Sequence, residues 1–226
     1  MSSSASAHRA AGAAAALMAV FPVTVVVLNL VQLGHYNLAS DAISLLALGR
    51  GGLALNVAFI AAGAAALTAA WVLRRSVARA VAGPLLIAFF GCTTVVSGLV
   101  DAAPDNAPAT TANDVHQLAG VLGFLAVIAA MFVFARRFRK DHDWSPYAKP
   151  TLIWAIVAAV TFVCIPLAPD ALFGVAQRAH IATWLSWIIV TMLRARSLAA
   201  RHAAAEPAVV GTTVGEEASL NVVGEA

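Results

Sequence analysis

The chain has 226 residues, 61% of them hydrophobic and only 11% charged, with a mean hydropathy of +0.85. Those values exclude a soluble globular protein and leave no room for a separate soluble domain. A pI near 9.3 does not signal nucleic-acid binding, because the basic residues flank apolar segments and no aromatic stacking surface is interleaved with them.

Six apolar segments, each close to the roughly 20 residues that cross a hydrocarbon core about 30 Å thick, organise the chain. The first, residues 11–33, follows His8 and Arg9. It is longer than the roughly 7–15 apolar residues of a cleaved signal, carries Asn29 and Gln32, and lacks a cleavage site, so it is read as a retained span. Pro22 is expected to kink it. The first loop then predicts a short helix at the interface or tucked between spans. Ser40 stands in the N-cap position, Asp41 lies in the first turn where the helix dipole favours a carboxylate, and Gly49 ends the run after Leu48. Ser40 and Asp41 are read as caps, with a ligand-binding or catalytic role as the other reading.

The second segment, residues 53–73, offers a small surface around Gly63 on which another helix can approach closely, and Asn56 suits an interhelical hydrogen bond. The third, residues 81–99, begins with Pro84 and ends at Asp101, where the helix dipole disfavours a carboxylate by about 0.3–1 kcal/mol. Asp101 therefore calls for compensation by Arg178, a protonated histidine or a metal. Asp105 reads as a solvated loop charge. The fourth, residues 115–134, opens with Asp114 and Gln117 in a capping-box-like arrangement that places His116 in the first turn; Gly120 and Gly123 read as packing positions. The fifth, residues 151–167, carries Cys164 and Pro166; with Cys92 in the third, its cysteine reads as core packing. The sixth, residues 175–193, places His180, Trp184 and Trp187 on one helical face behind Arg178. Beyond it, residues 202–226, with Glu206, Glu216, Glu217 and Glu225, are expected to be a disordered acidic tail.

Domain organisation is thus an N-terminus of residues 1–10, a six-helix transmembrane domain of residues 11–201 and that tail. Of the fourteen Lys and Arg residues, twelve flank the N-terminus, the second and fourth loops and the C-terminus; only Arg50 and Arg178 fall elsewhere. Retention of basic residues on the cytoplasmic side then puts both termini inside and the first, third and fifth loops outside. Anionic lipid headgroups are the expected counterpart of that charge. Trp71, Trp144, Trp154, Trp184 and Trp187 read mostly as interfacial anchors. The dominance of Arg over Lys and the abundance of Ala point to a bacterial plasma membrane. The fold class is an all-α polytopic bundle of six helices with a short extra helix in the first outer loop.

His35, His116 and His180 fall on the outer side with Asp101, Asp41 and Ser40, while His8, His142 and His202 fall among cytoplasmic basic residues. Imidazole with carboxylate suits zinc, which acidifies a bound water to a pKa of about 7. No HxxxH or HExxH spacing fixes two of these ligands on one helical face, however. Haem and nucleotide chemistry have no sequence support, and no deep intramembrane charge or inverted repeat recommends a transporter.

Ser40-Asp41-Ala42-Ile43-Ser44 through Gly49 and Gly52, with Asp101 and His116, resembles the bacterial six-helix membrane proteins of domain of unknown function 998, over about residues 12–195. The family's aromatic-Pro-x-Asp turn is replaced here by Leu99-Val100-Asp101. The resemblance implies the topology and no activity. A more distant similarity to the alkaline ceramidases and progestin-adiponectin receptors would match Ser40, Asp101 and His116 to a zinc site, but the paired histidines of their last helix are absent, and the activity is not transferred.

Two function classes follow. One is a binding or structural protein whose outer polar cluster receives a lipid headgroup or a protein partner in the membrane. The other is a metal-dependent hydrolase acting on a lipid or amide, with His35, His116 and His180 or Asp101 as ligands and Ser40 or Asp41 orienting the nucleophilic water. The second requires those side chains to converge.

Overall fold

A hydrocarbon solvent leaves a spanning backbone no partner but itself, so long apolar segments resolve into helices. The computed structural model describes residues 3–104, 107–108 and 110–222, with side chains described for residues 5–104, 107–108 and 110–205. Asp105 and the side chains of Glu206, Glu216, Glu217 and Glu225 lie outside the described residues. Six α-helices follow in order: α1 (Ser3–Val31), α2 (Leu53–Ser76), α3 (Ala82–Leu99), α4 (Thr111–Phe138), α5 (Ser145–Leu167) and α6 (Phe173–Val222). Two 3-10 helices, Ile43–Leu48 and Asp170–Leu172, lie in the first and fifth loops, and the described residues form no strand.

Ala5–Val31, Leu53–Ser76, Ala82–Leu99, Thr111–Phe138 and Ser145–Leu167 are long and apolar enough to cross a membrane. The expected sixth span lies within α6, which is long enough but interrupted by Gln177, Arg178, His180, Arg194 and Arg196. Consecutive helices pack on one another, and α6 also packs along α1 and touches α2, which closes the bundle. Its inward residues Ile181, Trp184, Trp187, Ile188 and Met192 are core.

The small surface around Gly63 is used as its sequence suggests. A Cβ on Gly63 would lie 2.5 Å from Val95 Cγ2 and 2.7 Å from the Gly91 carbonyl oxygen, and one on Gly91 would lie 2.9 Å from the Gly63 carbonyl oxygen. Helices α2 and α3 therefore touch backbone to backbone. A Cβ on Gly123 would lie 2.5 Å from Thr93 Oγ1, whereas one on Gly120 would meet nothing within 4 Å. Opposite signs are expected on substitution. Gly63→Ala should destabilise by about 1–3 kcal/mol through overpacking, and Gly120→Ala should stabilise by about 0.5–1 kcal/mol through helix propensity. Thermal unfolding of the two variants in one lipid environment checks the contrast, and equal shifts would refute it.

Several expectations are corrected. Trp144 and Trp187 are fully buried and Trp184 is 3% exposed, so these three are core residues; Trp71, at 40%, is the exposed one. Cys92 and Cys164 are exposed on the outer faces of their helices rather than packed in the core. Helix α6 runs past the end of the expected sixth span to Val222; the alanine-rich run 199–205 favours helix, and His202 Nε2 reaches Asp143 Oδ2 at 3.2 Å.

The end of the bundle holding the α2–α3 and α4–α5 loops is tied by Asp141. Its Oδ2 accepts from Ala78 N at 3.0 Å, and its Oδ1 accepts from Asp143 N at 3.1 Å. The start of α1 joins there through a 3.1 Å contact of His8 Nδ1 with the Arg196 carbonyl. His8 and His202 thus make specific contacts at this end of the bundle.

Candidate functional site

At the opposite end, the chain leaves α1 and folds back over the bundle. Gln32, 5% exposed, donates from Nε2 to the carbonyls of Leu46 at 2.9 Å and Arg50 at 3.1 Å. Gly34 and Gly51 turn the chain with φ of 84° and 79°, a region that side chains rarely adopt. Buried Ile43 and Leu46 seat the 3-10 helix on the bundle.

The start of α6 latches this loop. Arg178 Nη1 donates to the carbonyls of Asp41 and Gly174, each at 2.9 Å, and Nη2 donates to the Tyr36 hydroxyl. That hydroxyl lies 3.0 Å from the Asp41 carbonyl and 2.9 Å from that of Ala42, acceptors for its one proton. Burial raises the Tyr36 pKa above its ordinary value, with Arg178 opposing, so the phenol keeps the proton it donates at neutral pH. Gln177 Oε1 accepts from Ile43 N at 2.8 Å, and Val175 N donates to the Ala39 carbonyl at 3.1 Å.

Ser40 and Asp41 do not cap the helix they precede. Its N-cap is Ala42, which makes no side-chain bond. Ser40 Oγ instead donates to Asp41 Oδ1 at 2.8 Å, and Asp41 Oδ2 accepts from Asn37 N at 2.9 Å. The N-cap of α4 is Thr110, whose side chain accepts from Asn113 N at 3.2 Å, so His116 belongs to the second turn.

Beneath the loop lies a cavity of about 380 Å³, within the ordinary range for small-molecule sites. Ser40, Asp41, Ser44, His116, Gln117 and Gln177 line it from the loop and the adjoining helix ends. Phe21, Phe59, Phe90, Phe124 and Trp184, from deeper turns, supply aromatic walls, and α3 adds the hydroxyls of Thr93, Thr94 and Ser97. Gly120 opens onto it without a side chain.

His116, 8% exposed, places Nδ1 2.7 Å from the Val100 carbonyl. A carbonyl only accepts, so Nδ1 bears a proton, and in that neutral tautomer Nε2 is the acceptor. Asp101 is exposed and accepts from Asn56 Nδ2 at 2.9 Å; that amide, rather than Arg178, a histidine or a metal, is its partner. His180 is fully buried, with Nδ1 3.1 Å from the Ala158 carbonyl and ring contacts to Phe124 and Phe162. His35 is exposed in the turn after α1.

Ser40, Asp41 and His116 therefore share the cavity, whereas His35, Asp101 and His180 do not line it. Among the described residues no group of three His, Cys, Asp or Glu side chains could hold a metal. The expected ligand set is not assembled, because each histidine ring is held by its own surroundings: an exposed turn, the Val100 carbonyl, or the space between α5 and α6.

Thr93, Thr94, Ser97 and Gln177 line the cavity without any motif that marks them in the sequence. Three hydroxyls within five residues of an otherwise apolar α3 were the available signal.

The family model described as Protein of unknown function (DUF998) matches residues 11–194. No curated protein and no solved structure matches the chain.

Proposed function

The chain belongs to the DUF998 family, and from that premise we propose that it is a membrane binding protein whose site is the cavity beneath the first loop, with a small amphiphile as ligand. The observation that carries this reading is the cavity itself, in which polar groups lie at the loop and aromatic walls lie deeper, matching a molecule with one polar and one apolar end. The binding reading requires that shape and no catalytic constellation. Hydrolysis would need converging metal ligands, for which the described residues offer no group.

The distribution of basic residues supports a multi-pass protein with both termini cytoplasmic, and the excess of Arg over Lys with abundant Ala supports a bacterial plasma membrane. The cavity then opens toward the outer leaflet, where amphiphiles from the membrane or the exterior can enter.

Gly120→Phe tests the site with little packing disturbance, because the position faces open space. A single-chain fatty alcohol bearing a terminal diazirine should photolabel α3 or α4 of the wild-type protein in membranes. In the variant, labelling should fall at least about tenfold while the thermal midpoint holds. Undiminished labelling would reject the cavity as the site.

A further inference from the structure

Resting on the cavity reading, we infer that the ligand is a cationic amphiphile, a single apolar chain ending in an ammonium group, with its head at Asp41 and its chain along the aromatic walls. Among the described residues, Asp41 is the only Asp, Glu, Lys or Arg lining the cavity. Its carboxylate accepts from Asn37 N at 2.9 Å and Ser40 Oγ at 2.8 Å, and among the described residues no Lys or Arg forms an ion pair with it. The nearest cation, Arg178, approaches Asp41 through its backbone carbonyl, and its other contacts are the Gly174 carbonyl and Tyr36. A partly buried carboxylate that no Lys or Arg pairs favours a cation that arrives as ligand.

The neutral groups of the lining point the same way. Thr93 Oγ1 and Thr94 Oγ1 both donate to the Phe90 carbonyl, at 2.9 and 2.7 Å, and Ser97 Oγ donates to the Thr93 carbonyl at 3.1 Å. Ser40 donates to Asp41, and His116 donates from Nδ1 to Val100. With those protons committed, the hydroxyl lone pairs and His116 Nε2 are what these five residues have left for a ligand, and all are acceptors. The amide hydrogens of Gln117 and Gln177, the Ser44 hydroxyl and the unpartnered Trp184 Nε1–H are the donors opposing them. An ammonium brings three donors and a positive charge, whereas a carboxylate brings only acceptors and a charge of the same sign as Asp41.

The test uses the full chain in nanodiscs of zwitterionic lipid, with empty nanodiscs as control. Dodecylamine, dodecanol and laurate compete at neutral pH against the photoreactive fatty alcohol. Dodecylamine should compete about tenfold more strongly than dodecanol, and laurate should be weakest. Methylammonium, which lacks the chain, should not compete. Asp41→Asn should bring dodecylamine to within about twofold of dodecanol. Should that variant fail to fold, the wild-type ranking alone decides. Equal competition by the three, or preference for laurate, would overturn the headgroup inference and leave the cavity reading intact. Labelling that no amphiphile displaces and that Gly120→Phe does not reduce would overturn both.

Discussion

Arg178→Ala is expected to detach the first loop from α6 and to lower stability by about 3 kcal/mol, the scale of a few non-additive charge-assisted hydrogen bonds. The guanidinium holds the carbonyls of Asp41 and Gly174 and the Tyr36 hydroxyl together, and it also lies over the Tyr36 ring at 5.4 Å. Alanine removes these bonds from a partly buried seam, together with the stem that packs there. Because residues 40–45 form one wall of the cavity, ligand competition should weaken at least about tenfold as well. Arg178→Lys should recover only part of the loss, since an ammonium cannot reproduce the planar fork that reaches all three groups. Limited proteolysis within residues 33–42, read beside thermal unfolding, checks the result. A loop as protected in Arg178→Ala as in the wild type would mean that Gln32 and Gln177 hold it without the latch.

The second large effect is expected at the other end. Trp144→Ala should destabilise by about 3–5 kcal/mol, the range for emptying a buried aromatic site. Trp144 is 0% exposed, stacks on Phe138 with centroids 4.6 Å apart and planes at 16°, and donates from Nε1 to the Ser76 carbonyl at 3.1 Å. The Arg194 guanidinium lies 5.7 Å from its ring centre. One side chain thus joins the end of α2, the end of α4 and the side of α6. Trp144→Phe keeps the stack and loses the hydrogen bond, so its loss should be near 1 kcal/mol. Unfolding in lipid separates the two, and similar small losses in both would restore the role of interfacial anchor that its position in the sequence suggests.

Residues whose role depends on their own helix were legible in the chain. Gly63 reads as a close-approach position because a gap among alanines has one structural use, and it meets Gly91 and Val95. Pro84 reads as a residue of a first turn and stands there in α3. Asp101 is instructive because only part of its account was local. Its unfavourable position at the end of α3 predicts a compensating partner, but the identity of that partner, Asn56, depends on how α2 lies against α3.

His180 and Trp184 show the same limit for burial. Both lie on one face of α6, as their spacing requires, but whether that face meets lipid, headgroups or protein is settled by α3, α4 and α5. His116 looked equivalent to His35 and His180 as an outer histidine. A single carbonyl, that of Val100, orients its ring and leaves one nitrogen as an acceptor, and its helix places it on the cavity with Asp41.

The sequence by itself determined the solvent, the helical class and the approximate positions of the helices, because insertion into hydrocarbon and backbone satisfaction depend on about 20 consecutive residues at a time. Tertiary structure alone decided which polar groups meet. The return of the first loop onto α6, the gathering of Ser40, Asp41 and His116 around one cavity and the separation of the three histidines follow from helix rotation and loop path. Those are set by packing between residues as far apart as Asp41 and Arg178, and no local pattern encodes them.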